Sequence, residues 1–368
     1  MPMKYYIIAG EASGDLHGSN LIKELYSQDA ECQVRCWGGD MMKEAGGELV
    51  KHYRDLAFMG FVEVLLNLNT ILNNIKICKE DIQKFAPDVL VLIDYPGFNM
   101  RIAKWAKEQG IKVVYYISPQ IWAWKQNRGH ALKRDCDRML VILPFEKDFY
   151  KSKFNWDVDF VGHPLLDAIA QRSAIENLKG VPNDKPIIAL LPGSRTQEIN
   201  TMLPLMLKAA SSYSDYSIVI AGAPSREAEF YQPFLKNKNV YLVQGKTYDL
   251  LQVAHAALVT SGTATLETAL FNVPEVVCYK GNAISYQIAK RLVNIDYISL
   301  VNLVMEKETV KELIQQELTV KNMKIELNKI LEDNSRKVLL DEYAQLKQKL
   351  GGTGASKKAA EIIIEEAN

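Results

Sequence analysis

Short, unbroken apolar runs recur along the chain at residues 5–9, 89–93, 113–117 and 139–143, and again at 187–191, 217–221, 240–243, 257–260 and 276–279. A strand that is apolar on both faces belongs to a parallel sheet covered by helices on both sides. Helical stretches such as 16–26 and 101–108 fall between the runs. Two such series, in a chain of 368 residues that exceeds one ordinary core, predict two doubly wound α/β domains. Periodicity gives way at "AQRSAIENLKGVPNDKP", so the domains are expected at 1–175 and 176–350. Beyond about residue 307 the chain reads as helical and charge-rich. "GGTGAS" breaks that pattern, and a last helix within 355–368 is expected to pack back on the first domain or on a partner subunit.

The turns that follow these strands carry the chemistry. "ALVTSGTATLETAL" (257–270) is a strand, a Ser261-Gly262-Thr263 turn and a helix. The unpaired N–H groups and dipole of such a helix start attract a diphosphate. Ser261, Thr263 and Thr265 add hydroxyls, and Glu267, one turn in, could accept both hydroxyls of a ribose. "IIALLPGSR" (187–195) ends in Arg195, which could neutralise phosphate charge. The alternative is that the hydroxyls only cap the helix and Glu267 answers its dipole. Two such turns in one domain favour a site.

In the first half, "PDVLVLIDYPGFNMRIA" (87–103) places Asp94 at a strand's C-terminal tip, where open α/β sheets hold ligands. Asp94 is a candidate general base with Asn99 as its neighbour, unless it merely caps the turn at Pro96–Gly97. The opening "YYIIAGEASGDLHG" (5–18) spaces glycines at 10, 14 and 18, which is neither the dinucleotide fingerprint nor a P-loop.

Lys+Arg and Asp+Glu both number 44, which argues against a generic nucleic-acid binder. The N-terminus turns acidic at Glu11, too early for a signal-peptide core, and no apolar run spans a bilayer. A cytoplasmic location is therefore expected. Five scattered cysteines (32, 36, 78, 136, 278) read as reduced, structural thiols. The triplets Asp135-Cys-Asp137 and Asp157-Val-Asp159 read as solvated surface, and no metal site is expected. Two stretches suit a lipid surface. In 56–75, Phe61, Leu65, Leu68, Leu72 and Ile75 follow helical spacing opposite Glu63, Asn67, Thr70 and Asn74, although such a helix more often packs on its own core. In 101–134, Trp122 and Trp124 stand beside Lys125 and Arg128 in a basic segment.

The ordered set "AGEASGD" (9–15), "FMGFVEVL" (58–65), "PDVLVLIDYPGFN" (87–99), "YYISPQIWAWKQNR" (115–128), "LPFEKDFY" (143–150), "FVGHPLLDA" (160–168), "LLPGSR" (190–195), "SGTATLE" (261–267) and "AKRLVNIDYISLVNL" (289–303) resembles the lipid-A-disaccharide synthase family. These are inverting glycosyltransferases with the two-domain GT-B fold. The resemblance implies transfer from UDP-2,3-diacylglucosamine to 2,3-diacylglucosamine 1-phosphate, without a cofactor, at the inner-membrane surface of a Gram-negative bacterium. Homodimerisation is left open. It implies a donor site of Arg195, Ser261, Gly262, Thr263, Thr265, Glu267 and Asn302. Asp94 would be the base, with Glu11, Ser13, Asp15, Asn99, Ser118 and Trp122 around the acceptor in an interdomain cleft. Acyl or membrane contacts would come from Phe58, Met59, Phe61, Val62, Leu65, Leu66, Trp124, Lys125 and Arg128. Two positions depart from the family pattern: Gly97 is commonly Asp, and Val301 commonly Pro. Competing readings are a UDP-sugar 2-epimerase of similar architecture and a non-catalytic UDP-sugar sensor docked on the membrane.

Overall fold

A computed structural model of the chain describes residues 2–55, 68–235, 237, 239–281 and 296–368. It divides into two units, Met1–Gln171 with Leu350–Asn368, and Arg172–Lys349.

The first unit is built on a parallel sheet of β1 (Lys4–Ala9), β2 (Gln33–Gly38), β3 (Glu48–His52), β4 (Val89–Ile93), β5 (Lys112–Tyr116), β6 (Arg138–Val141) and β7 (Asp159–Phe160). Their order is β3-β2-β1-β4-β5-β6-β7. The apolar runs at β1, β4 and β5 are central strands. Tyr5, Ile7, Val89, Val91 and Ile93 face one buried cluster, while Tyr6, Ile8, Leu90, Leu92 and Tyr115 face another. Strands β2, β3 and β7 were not expected. They carry Arg35, Lys51 and Asp159, because near a sheet edge one side of a strand can stay wet.

The second unit repeats the plan with β8 (Ile187–Leu191), β9 (Ser217–Gly222), β10 (Val240–Gln244), β11 (Ala254–Thr260), β12 (Glu275–Tyr279) and β13 (Lys311–Ile314), ordered β10-β9-β8-β11-β12-β13 and all parallel. The expectation of continuous helix beyond residue 307 is corrected by β13, an edge strand that pairs with β12 from Val276↔Lys311 to Tyr279↔Ile314.

The chain returns to the first unit at Leu350. There Asp167 accepts the N–H of Gly354 at 2.6 Å and of Ser356 at 2.8 Å, capping the helix Ala355–Ala367. Its residues Ala359, Ala360 and Ile363 complete the buried cluster beneath β1 and β4. Within the helix Leu68–Phe85, Thr70 and Ile75 lie as the expected stripe has them, exposed and buried, while Leu72 and Asn74 are corrected; residues 56–67 lie outside the described residues. Leu72 is 60% exposed and Asn74 only 6%. Packing of Cys78 and Ile82 on the sheet sets the helix's rotation, and that places Ile75 inside and Leu72 outside.

Candidate active site

In an open parallel sheet, ligands bind beyond the strand tips where the strand order reverses. The second sheet reverses between β8 and β11. A cavity of about 390 Å³ lies at that point, lined by the turns after both strands and by Glu267. On the β8 side, Gly193 takes φ +102°, and a Cβ there would lie 2.7 Å from the Glu198 Oε2. That carboxylate accepts the N–H groups of Ser194 and Arg195, each at 3.3 Å, and sits 3.4 Å from the Arg195 guanidinium. Arg195 itself is 78% exposed, so it can swing toward an incoming anion.

On the β11 side, Gly262 at φ +156° precedes the helix Thr263–Leu270, whose start carries no side-chain cap. Its first N–H groups are the orphan donors of a helix N-terminus. Gly262 and Thr263 line the cavity, as does Ser261, whose hydroxyl donates to the Ile298 carbonyl at 3.1 Å. The Thr260 hydroxyl also lines the cavity, buried and without a partner among the described residues. Sequence reasoning passed over it, because a threonine closing a strand reads as packing.

Glu267 lies one turn deeper. Burial raises its pKa above the ordinary value, and the Tyr248 hydroxyl, donating to Oε1 at 3.0 Å, acts in the opposite sense.

Two expected donor residues are corrected. Thr265 is fully buried and its hydroxyl turns back to the Gly262 carbonyl at 2.8 Å. Asn302 is also fully buried. Its amide donates to the Val310 carbonyl and to Glu312, each at 2.9 Å, and its carbonyl oxygen accepts from Thr309 and Val310 at 2.8 and 2.9 Å. All of the side chain's bonds are spent on the 299–312 fold. The neighbouring departure at Val301 is buried in the first turn of the helix Leu300–Met305, where a backbone N–H has no intrahelical acceptor to lose.

The first sheet reverses between β1 and β4. Asp94 and Tyr95, just past β4, take left-handed φ of +42° and +49°. Such backbone costs on the order of 1–3 kcal/mol per residue and persists where neighbours hold it. Here the Asn99 amide donates to the carbonyls of Ile93 at 3.1 Å and Asp94 at 2.8 Å, and the Tyr115 hydroxyl donates to the Asp94 carbonyl at 2.6 Å. The Asn99 amide nitrogen therefore holds the turn, while its Oδ1 is buried without a partner among the described residues. A Cβ on Gly10 would lie 2.3 Å from the Tyr95 ring, which explains the first glycine of the opening segment. A Cβ on Gly18 would lie 2.7 Å from the Met42 sulfur, and one on Gly14 a less severe 3.1 Å from the Ala9 Cβ.

Burial pushes the Asp94 carboxyl up to about 7, the charge of Glu11 adds to the rise, and the Tyr95 N–H counters it. Glu11 is exposed and accepts the Ser13 hydroxyl at 2.6 Å. Asp15 is corrected from a ligand contact to a structural anchor: its buried carboxylate accepts the N–H groups of Gly39, Met41 and Met42 at 2.7, 3.2 and 3.0 Å. At Gly97 a Cβ would meet nothing within 4 Å, so the aspartate common in the family would fit.

Ser118 and Trp122 are also buried. The Ser118 hydroxyl bonds the Tyr150 hydroxyl at 2.6 Å and the Pro119 carbonyl at 3.0 Å, and Trp122 packs edge-on against Phe145. Both side chains pack inside the first unit, the Trp122 indole N–H without a hydrogen-bond partner among the described residues. Below them Glu146, pushed up to about 7 by burial, accepts the Ile142 and Leu143 N–H groups at 3.2 and 2.9 Å.

Trp124 is 51% exposed, with the Lys125 ammonium 4.4 Å and the Arg128 guanidinium 5.9 Å from its ring centre. Phe58, Met59, Phe61, Val62, Leu65 and Leu66 lie outside the described residues. In the D-x-D triplets, Asp135 pairs with Arg134, Asp137 with Lys107, Asp157 with Lys151 and Asp159 with Arg138. Asp135 is buried rather than solvated. Among the described residues no three metal-ligating side chains converge, and no helix is long and apolar enough to cross a membrane.

Two Rossmann-like units of this topology are shared with glycosyltransferases and UDP-sugar epimerases. The structure of the kitacinnamycin glycotransferase matches with TM-score 0.70 and 14% identity over 100% of both chains. That of UDP-GlcNAc 2-epimerase from Neisseria meningitidis, bound to UDP-GlcNAc, matches with TM-score 0.73 and 15% identity over 99% of this chain and 100% of that one. At those identities the likeness is one of fold. Sequence decides the family: residues 5–366 match the lipid-A-disaccharide synthetase family model. Lipid-A-disaccharide synthases of Syntrophus aciditrophicus and Geobacter metallireducens are 41% and 39% identical, over 97% and 98% of this chain and 96% of each relative. The chain belongs to the lipid-A-disaccharide synthetase family and is a glycosyltransferase.

Proposed function

We propose that the chain transfers 2,3-diacylglucosamine from UDP-2,3-diacylglucosamine to 2,3-diacylglucosamine 1-phosphate, releasing UDP and a tetra-acylated disaccharide 1-phosphate. The observation that carries the reading is the cavity at the β8–β11 reversal, which brings an uncapped helix start and a half-buried carboxylate to one place. The diphosphate takes the helix start at Gly262–Thr263 with Arg195 alongside, and the ribose takes Glu267. In the first unit Asp94 accepts the proton of the acceptor hydroxyl as that oxygen attacks the anomeric carbon from the face opposite UDP. The bond to the UDP oxygen breaks, and the helix start and Arg195 stabilise the charge left on the diphosphate. A carboxyl with a pKa of about 7 is well matched to this task. Trp124, Lys125 and Arg128 rest on an anionic lipid surface, the inner face of the inner membrane, where both lipid substrates reside.

The test is UDP release measured with and without the acylated acceptor. Release is expected only when donor and acceptor are both present. Turnover of UDP-GlcNAc to its 2-epimer would support the epimerase reading instead. UDP binding without any release would reduce the chain to a sensor.

A further inference from the structure

Tyr248 lies in the first turn of the helix Thr247–Val253, while Glu267 belongs to the helix Thr263–Leu270. No motif joins the two. The fold nevertheless brings the Tyr248 hydroxyl to 3.0 Å from Glu267 Oε1, and among the described residues no other hydrogen bond reaches this carboxylate. The tyrosine ring is itself fixed. Phe271 packs on it at 5.3 Å between ring centres, and the Arg172 guanidinium lies 5.2 Å from the ring centre. Arg172 is held in turn by Asp249 at 2.7 Å. The arrangement runs Asp249–Arg172–Tyr248–Glu267 and ends at the cavity that Glu267 lines.

We propose that Tyr248 is a positioning residue for nucleotide recognition: its hydroxyl holds one oxygen of Glu267, so that the carboxylate is presented to the ribose hydroxyls of the donor. This rests on the assignment of Glu267 to the ribose. A carboxylate that must accept two vicinal hydroxyls needs a fixed plane and a full negative charge. Burial alone works against the charge by raising the pKa of Glu267, and a donated hydrogen bond works for it. Tyr248 can keep donating because burial and the adjacent carboxylate push its own pKa upward, so the phenol stays protonated. The cation over its ring is anchored outside the cavity. Arg172 therefore stiffens the tyrosine without itself needing to contact the nucleotide.

The consequence is a preference that depends on the sugar of the nucleotide rather than on its base or phosphates. Calorimetric titration of the full chain with UDP and with 2′,3′-dideoxyuridine diphosphate separates the two. Tyr248→Phe keeps the ring packing and removes only the hydroxyl. It should weaken UDP binding about fivefold while leaving binding of the dideoxy analogue unchanged. Glu267→Gln should weaken UDP more and also leave the analogue unchanged. In Tyr248→Phe the pH below which UDP affinity falls should rise, because the half-buried carboxylate has lost the donor that favoured its charge. A fold defect would weaken both nucleotides alike. If Tyr248→Phe is poorly folded, Arg172→Met provides a second route and should show a smaller loss, again confined to UDP. Equal losses on both nucleotides in a variant that melts as the wild type does, or no loss on UDP in Tyr248→Phe while Glu267→Gln shows one, overturns the role of Tyr248. If Glu267→Gln binds UDP as the wild type does, the ribose assignment falls, and the positioning role with it.

Discussion

Replacing Asp94 by Asn tests the proposed mechanism at its most exposed point. The substitution is nearly isosteric, and Asn tolerates the left-handed φ of +42° that this position requires. The hydrogen bonds that hold the turn use the main-chain carbonyl of residue 94, which the change leaves intact. The variant should therefore fold. What it loses is a proton acceptor whose pKa of about 7 lies near working pH, and general-base assistance typically contributes 10²–10⁴-fold. That corresponds to about 3–5 kcal/mol of barrier. UDP release should fall by that factor with UDP affinity unchanged.

The same carboxyl predicts a pH signature. In the wild type, kcat/KM should rise to a plateau with an apparent pKa near 7, and Glu11→Gln should move that midpoint to lower pH by removing a neighbouring negative charge. For stability the sign is opposite to that of a salt-bridged aspartate. The folded pKa lies above the ordinary 3.8, so the native state holds a proton that the unfolded chain has released. Wild-type stability should thus fall relative to Asp94→Asn as pH rises from about 4 to about 7, as read by denaturant titration across that window. A near-wild-type rate for Asp94→Asn refutes the assignment. Glu11 would then be the next candidate, since Asp15 is occupied by backbone donors and buried His17 has its pKa lowered to about 4.

Arg195→Ala should raise KM for the UDP-sugar and lower turnover, because a charge-assisted contact to phosphate is worth about 1.5–3 kcal/mol, and steady-state kinetics would show this. Asp15→Ala should cost on the order of 3 kcal/mol in chemical denaturation by stranding buried N–H groups, while the activity of the folded fraction stays near normal. The triple change Trp124→Ser, Lys125→Ser, Arg128→Ser should reduce sedimentation with anionic liposomes and leave the melting temperature within a few degrees, since Trp124 projects outward. Unaltered sedimentation would remove these three residues from any lipid contact.

What the sequence settled by itself is local. A run such as "VLVLI" is apolar on both faces, and only a strand covered on both sides can bury it, so the central strands and their parallel pairing are legible from the residues alone. So is the glycine turn ahead of the Thr263–Leu270 helix, because the turn chemistry and the helix start lie within a few residues of one another. Tertiary structure decided whatever depends on a distant partner. The strands β2, β3, β7 and β13 look polar in sequence, and only their places near or at sheet edges make them strands. Asp15, Thr265 and Asn302 carry the right chemistry for a ligand, yet their bonds go to the fold itself. Tyr248 looks like any helix-start tyrosine until folding sets its hydroxyl against Glu267. A residue's type states which bonds it can make. Which of them remain free for a substrate is settled only when the chain has closed and each buried polar group has found its partner.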